Sequence, residues 1–349
     1  MVVSVDRPSS ETASLDGTTV APNTTTIHAI VNPAAGSGRA GKRWPRFLNA
    51  LERAGFAVSA HLTTGPGDAT TIARQLAEDG ATTILCVGGD GTTNEVVNGL
   101  VRDDLPVNPR TRLALVPCGT GRDLARSLGT NDIVSTIRAI SGDPDASTVA
   151  IDVARVSYID PRTGYLATRY CANVADTGIG AATAALINSS SKTLGGLVSY
   201  FTGAVRSIIA YSPWDVIVEA DGERVYEGSA GMVVFANGRY FAGGMQVAPM
   251  ASLCDGRLEM FVLEGVGKRQ LLTSLLPRVY RGKHVGEPGV VHRTVSDASV
   301  RSDGRMLLEM DGEQVGGVPV TVDVVPRVLR IVVAPEVMAR SGSCTNPDA

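Results

Sequence analysis

TTILCVGGDGTTNEVVN, residues 82–98, is the stretch on which the reading of this chain depends. Thr82 to Val87 is a run of β-branched and apolar residues without a charge, and it stops at Gly88-Gly89-Asp90-Gly91. Such a run predicts a strand buried on both faces, as in a parallel sheet. The glycines predict a sharp turn, and the segment carrying Asn94, Glu95 and Asn98 an amphipathic helix. The turn then presents backbone N–H groups and a helix N-terminus at the carboxyl end of a sheet, where negative charge is favoured. Asp90 is embedded in that turn and would repel a bound phosphate unless a cation stood between them. The stretch therefore predicts a nucleotide phosphate site that works with a metal. Gly-Gly-Asp-Gly is also an ordinary tight connection, with Asp supplying a local turn hydrogen bond, so the remainder of the chain has to decide.

With 349 residues the chain is long enough for about two domains of ordinary size, and 44% apolar residues suffice for real cores. A net charge of −3 gives no footprint for nucleic acid. Five dispersed cysteines (Cys86, Cys118, Cys171, Cys254, Cys344) contain no Cys-x-x-Cys pair. That pattern suggests reduced thiols and a cytoplasmic setting rather than disulfides or zinc. Residues 1–26 are rich in Ser, Thr and Pro without an apolar run, and residues 340–349 are similar; both read as tails. No uncharged apolar stretch reaches the roughly 20 residues of a spanning helix, so any lipid must be met from the aqueous side of the membrane.

From the central stretch back to the start, Ile27 to Val31 reads as a strand ending in Asn32-Pro33-Ala34-Ala35-Gly36-Ser37-Gly38-Arg39. Gly36, Gly38 and Gly41 spell the dinucleotide fingerprint, but the next strand, Phe56 to Leu62, ends without the acidic residue that fingerprint needs. Gly41-Lys42 resembles the end of a P-loop, but Arg43 stands where a magnesium-binding Ser or Thr belongs. What survives is a glycine-rich turn able to help hold phosphate. Helices are expected over about Lys42–Ala54 and up to Glu78. A further strand, Leu113 to Val116, runs into Pro117-Cys118-Gly119-Thr120-Gly121-Arg122-Asp123, a second strand–glycine–helix junction with Asp123 in the first helical turn. Alternating β and α segments with short loops argue a parallel, doubly wound sheet whose junctions face one crevice. This domain is expected over 27–146, with about 325–339 as a candidate to complete it.

Beyond residue 146 strands dominate: Ser147 to Val156, Arg169 to Val174, Trp214 to Ala220, Gly231 to Asn237, Leu258 to Leu263, Val318 to Val325 and Leu329 to Val333. They predict a second, β-rich domain over 147–324, with inserted helices at Ala181–Ile187 and Leu194–Ile209. The latter helix is apolar nearly all round, which fits a buried helix or part of a lipid-accepting wall. The four histidines show no triad or metal spacing.

Taken together, NPAAGSG at 32–38, GGDGTTNEVVNGL at 88–100, PCGTGRDLAR at 117–126, NGRYFAGGMQVAPMASLCDGRLEMFVL at 237–263 and MDGEQ at 310–314 make the chain resemble the soluble bacterial diacylglycerol kinase catalytic family, which includes sphingosine and ceramide kinases. The resemblance implies an α/β nucleotide-binding domain, a β-sandwich-like second domain and catalysis in the cleft between them. By motif, Asn32, Pro33, Ala34, Ala35, Gly36, Thr63, Gly89, Asp90, Gly91, Thr92, Thr93, Asn94, Glu95 and Thr120 would line ATP. Asp90, Asp123 and Asp152 would form a water and magnesium network, and Glu313 would be the general base. Ser252, Asp255 and Arg257 would surround a structural magnesium ion. Arg122 stands where the family commonly has Asn, and either adds a phosphate contact or alters how that turn meets the nucleotide.

The chemistry of phosphoryl transfer agrees with this reading, since it depends on positioning and charge neutralisation, and a carboxylate can relieve a lipid hydroxyl of its proton. Asp311-Gly312-Glu313 is also a strong hairpin-turn signal. The expectation is thus an ATP- and magnesium-dependent lipid kinase, peripheral to the membrane and serving phospholipid biosynthesis, with room for a homodimer. Two alternatives remain open: an NAD-kinase-like enzyme sharing GGDGT, and a nucleotide-binding regulator that has lost catalysis. Diacylglycerol, a sphingoid base and a polyprenol are not separated by these residues.

Overall fold

A computed structural model describes residues 26–119, 122–144, 146–183, 212–302 and 306–334. Thr120, both tails, Cys344 and nearly all of the two expected helices at 181–187 and 194–209 lie outside the described residues; residues 179–183 are helical.

The first half alternates as expected. β1 (Thr26–Val31), α1 (Arg39–Arg53), β2 (Ala57–Leu62), α2 (Asp68–Glu78), β3 (Thr83–Gly88) and α3 (Asp90–Leu100) are followed by a small hairpin of β4 (Val101–Arg102) and β5 (Leu105–Pro106). Then come β6 (Arg112–Pro117), α4 (Asp123–Leu128) and α5 (Ile133–Ser141). β3 lies between β1 and β6, parallel to both, and every one of its residues is buried. Alternation along the strand explains why. Ile84 and Cys86 enter a core with Ala69, Ala73 and Leu76 of α2 and Val96 and Val97 of α3. Leu85 and Val87 enter the core on the opposite face with Ala40 and Leu51 of α1 and Ala139 and Ile140 of α5.

The second half is antiparallel. It comprises β7 (Thr148–Ile159), β8 (Leu166–Cys171), β9 (Val174–Gly178), β10 (Trp214–Ala220), β11 (Glu223–Ala236), β12 (Leu258–Glu264), β13 (Val290–Val295), β14 (Asp297–Ser302), β15 (Leu307–Met310) and β16 (Glu313–Val332). Lys268–Gln270, Leu271–Leu275 and Leu276–Val279 form one helical segment, α6, whose middle is π-helical. The expected strand over Arg169–Val174 is in fact the end of β8 and the start of β9. The two strands expected within 318–333 are one strand, β16, with an irregularity between Val325 and Leu329. The expectation of reduced thiols also fails at one position: Cys254 is disulfide-bonded, while Cys86, Cys118 and Cys171 are free and buried.

One 14-stranded sheet runs through both halves. β7 and β16 pair antiparallel along their length, and β16 also lies parallel to β6 through Ile331 and Leu113. The core beside α2 and α3 therefore includes Val149, Ile151 and Val153 of β7 and Val325, Leu329 and Ile331 of β16. The second core takes Ala154 and Val156 from the same β7, and Val320 and Val322 from the same β16. Among the described residues no helix is long and apolar enough to cross a membrane.

Candidate active site

The two glycine turns meet back to back at the carboxyl end of the parallel strands. The N–H groups of Cys118 and Gly119 both bond the carbonyl of Gly88, and a Cβ on Gly119 would lie 2.7 Å from the Gly89 Cα. Asn32, at the end of β1, donates from Nδ2 to Thr92 Oγ1 at 2.9 Å and accepts the Ala34 N–H at 3.1 Å. Ala35 N–H is bonded to the Asn32 carbonyl, and Thr63 N–H to the Val31 carbonyl. Thr93 Oγ1 caps back on the Gly89 carbonyl at 3.2 Å. The loop after β1 and the α3 N-terminus are thus one hydrogen-bonded unit. The Thr93 N–H bonds the Gly89 carbonyl at 3.0 Å, and the N–H groups before it in α3 precede any intrahelical acceptor. Glu95 joins this unit to α2: its carboxylate accepts the N–H of Gly67 at 2.9 Å and of Ala69 at 3.1 Å, at that helix's positive end.

Asp90 sits in this junction with its carboxyl pushed up to about 7, by burial first and then by the negative charges of Asp123 and Asp311; N–H groups of Asp123 and Arg122 oppose the shift. Asp123 is pushed up to about 6, chiefly by burial. It accepts the Gly243 N–H at 2.8 Å and Arg126 Nη1 at 2.9 Å, and so ties α4 to the second half. Asp152 has a different neighbourhood. Its two oxygens take the N–H of Arg327 and of Gly256, each at 2.7 Å, and the charged groups acting on it are Asp255 and Arg327.

Glu313 reaches the Gly-Asp-Gly turn across the sheet. A Cβ on Gly91 would lie 2.5 Å from Glu313 Oε1, so the glycine lets this carboxylate rest against the turn, and a larger residue would make the flexible Glu313 side chain move away. Burial raises the Glu313 carboxyl; Arg169 lowers it, while Glu95 and Asp311 add to the rise. Arg169 Nη2 stands 3.6 Å from Glu313 Oε2 and donates to Asn94 Oδ1 at 2.9 Å. Asn94 is fully buried and donates from Nδ2 to Asp311 Oδ2 at 2.9 Å and to the Tyr170 carbonyl at 3.0 Å. Asp311 in turn accepts the Val174 N–H at 3.1 Å. A residue of α3 thereby holds both the arginine beside Glu313 and the turn that carries it.

Sequence reasoning did not single out Arg169 or Asp311. The Asp-Gly-Glu motif contained a signal for Asp311; nothing marked Arg169. Arg169 faces a cleft of about 1190 Å³ that also opens on Glu95, Asn98, Tyr170 and Glu313, while Asp311 is buried behind it. A second cavity, of about 130 Å³, lies in the second half among Met232, Val234, Phe241, Phe261, Leu271 and His284, and its walls are almost wholly apolar.

The donor chemistry fits a hard divalent cation at the first junction. Asp90 and Asp123 are carboxyls raised by burial, and Asp90 is raised further by the charge of Asp123, which a cation would relieve. At the second-half turn, Asp255 is raised by burial and by Glu259, its Oδ1 taking the Arg257 N–H at 3.1 Å. Arg257 itself pairs with Asp221 at 3.5 Å and Ser296 at 2.7 Å. Among the described residues no three His, Cys, Asp or Glu side chains converge as a metal cluster. An ion at Asp255 would draw its other ligands from main-chain and hydroxyl oxygens such as those of Ser252 and Arg257.

Residues 26–156 match the family model described as the diacylglycerol kinase catalytic domain, and residues 173–333 match the YegS C-terminal NAD kinase beta sandwich-like domain. The diacylglycerol kinase of Bacillus subtilis (strain 168) is 30% identical over 292 residues, 83% of this chain and 90% of that protein. That of Staphylococcus saprophyticus is 30% identical over 291 residues, 83% and 89% of the two chains. A crystal structure of a diacylglycerol kinase from Bacillus anthracis str. Sterne matches with a TM-score of 0.65 at 21% identity, over 90% of this chain and 99% of that one. A second structure from that organism reaches 0.69 at 24%. These two likenesses concern the fold.

Proposed function

This chain belongs to the diacylglycerol kinase family and is a kinase, and from that premise we propose that it transfers the γ-phosphate of ATP to the hydroxyl of diacylglycerol or a closely related lipid alcohol. The observation that carries the reading is the placement of the Glu313 carboxylate on Gly91, against the turn whose amides and helix N-terminus suit phosphate. In this reading ATP lies along Asn32–Gly36, Thr63, Gly89–Glu95 and Thr120. Glu313 takes the proton of the lipid hydroxyl as the oxygen attacks phosphorus. Arg169 opposes the rise that burial imposes on the Glu313 carboxyl and orients it, and Asp90 and Asp123 are the carboxylates that would hold magnesium. When bound there, magnesium would neutralise charge on the phosphoryl oxygens. Asp152 secures the floor of the second half, and Ser252, Asp255 and Arg257 would hold a structural ion.

The apolar cavity supports a lipid acceptor over a dinucleotide. Its walls are apolar apart from His284 and Thr183 and so offer ribose or pyrophosphate little, whereas each CH₂ of an acyl chain buried there is worth about 0.8 kcal/mol. The protein would reach such a substrate from the aqueous side of the membrane. The test uses purified protein, labelled ATP and magnesium, with mixed micelles of diacylglycerol, sphingosine or polyprenol in parallel with NAD. Label in the diacylglycerol fraction is the expected result. Label in NAD alone, or in none of the acceptors, overturns it.

A further inference from the structure

Asp176 and Glu309 are two carboxyl groups that the reading above does not use. They stand directly opposite one another in the antiparallel pairing of β9 with β15. They are 0% and 2% exposed, and they hydrogen-bond to each other. Like charges facing across a ladder repel, and two buried carboxyls at hydrogen-bond distance do not both ionise. Each has one backbone donor: Ala181 N–H bonds Asp176 Oδ1 at 3.0 Å, and Gly312 N–H bonds Glu309 Oε1. Asp176 Oδ2 is buried and has no hydrogen-bond donor among the described residues. A proton between the carboxyls meets that need, making one of them a donor and the other a charge-assisted acceptor.

The pair's two backbone bonds lead to functionally different places. Gly312 immediately precedes Glu313. Ala181 follows Ile179 and Gly180, which line the apolar cavity, and a Cβ on Gly180 would collide with Asp176 Oδ1. The row through the pair continues in register from Asp176 to Val234 and from Val234 to Phe261, both cavity residues on the same sheet face. The carboxyl pair thus lies between the cavity wall and the Glu313 turn.

We propose that Asp176 and Glu309 share one proton and, in that state, act as a positioning pair for Glu313, fixing its turn against the wall of the apolar cavity. The proposal rests on the reading of Glu313 as the base. Loss of the shared proton puts two negative charges on facing strands and drives the two carboxylates apart, which shifts Glu309 and, with it, the Gly312 N–H that it holds. The neighbours in register, Val234 on β11 and Gln314 on β16, carry no charge. The further charged group acting on Glu309 is Asp311, whose negative charge favours keeping the proton.

The first measurement is on the wild-type protein: ¹³C NMR titration of the Asp176 and Glu309 carboxyl carbons. The expected result is one proton held by the pair at neutral pH, both resonances moving together as it leaves on the alkaline side. Two fully ionised carboxylates at neutral pH overturn the proposal. The second follows turnover with diacylglycerol micelles at saturating ATP. Wild-type kcat should fall about tenfold over one unit beyond that titration, with KM for ATP constant. In Asp176→Asn, whose amide supplies an N–H in place of the proton, the alkaline fall should vanish. An unchanged fall in that variant overturns the proposal, and Glu309→Gln offers the same comparison if Asp176→Asn does not fold. Near-normal turnover in Glu313→Gln would overturn the base assignment instead. The two failures are distinguishable because the NMR titration does not depend on activity.

Discussion

Glu313 is subject to two opposed influences, burial raising its carboxyl and the Arg169 guanidinium lowering it. A general base must be ionised before it can accept a proton, so the balance decides how far into acid the enzyme works. Removing the guanidinium raises the Glu313 carboxyl further, and at any given pH below neutrality a smaller fraction is ionised. Arg169→Met should therefore move the acid limb of the kcat profile to higher pH, and Arg169→Lys should restore part of the shift. A limb that stays in place, with only the melting temperature lowered, would show Arg169 to be a strut. Glu313→Gln provides the companion measurement: it keeps size and hydrogen bonding, so turnover should drop about 10²–10⁴-fold while ATP binding and melting stay near wild type. Equal loss in ATP affinity would argue that Glu313 serves the nucleotide.

At the scale of elements, Asp152 separates a structural from a chemical role. Its carboxylate clamps β7 to the irregular stretch of β16 through Arg327 N–H and to the turn at Gly256 through a second N–H. Asp152→Ala leaves two part-buried N–H groups without their acceptor, and because water reaches them in part the total loss should be about 1–3 kcal/mol, read from the denaturant midpoint. Asp152→Asn keeps one oxygen and should lose about half as much. A stable Asp152→Asn with greatly reduced turnover would place the residue in the chemistry after all. The separate neighbourhood of Asp152 was not legible in the sequence: Asp90 and Asp123 stand in glycine-rich turns at helix starts, Asp152 lies within the strand expected over Ser147–Val156, and no local spacing says which acids meet. What was legible had a local cause. β3 and its turn were readable because a strand buried on both faces must be continuously apolar and a sharp turn must be glycine-rich. β13 and β14 were not, because His292, Arg293, Thr294 and Arg301 interrupt their apolar pattern at partly or fully exposed positions, and β15 was not, because it is only four residues long and carries Glu309. Asn94 and Asp311 meet although 217 residues apart, and Arg169 finds Glu313 only through that same closure. No local spacing encodes such a contact.

For the whole molecule, the last strand couples the two halves. β16 leaves the second core at Val322, passes the Asp152 clamp and enters the first core with Val325, Val328, Leu329, Ile331 and Val333, while Val332 joins the core on the other face. Burying six such side chains is worth about 1.5–3 kcal/mol each, which together matches the about 5–15 kcal/mol that holds an entire domain folded. The nucleotide-side sheet therefore depends on a strand delivered from the far end of the chain, and β7 repeats the dependence from the other direction. Calorimetry of the intact protein should show one cooperative unfolding transition, with calorimetric and van't Hoff enthalpies in agreement. A chain ending at Val324 should lose the nucleotide-side fold as well as the strand, because Leu113 and its neighbours on β6 would then form an uncovered apolar edge. Two resolved transitions in the intact protein, or a folded fragment confined to residues 26–146, would show that the halves are stable separately. In that case the hydrogen bonds from Asn94 to Asp311 and from Gly243 to Asp123 would carry the coupling that is here assigned to β16.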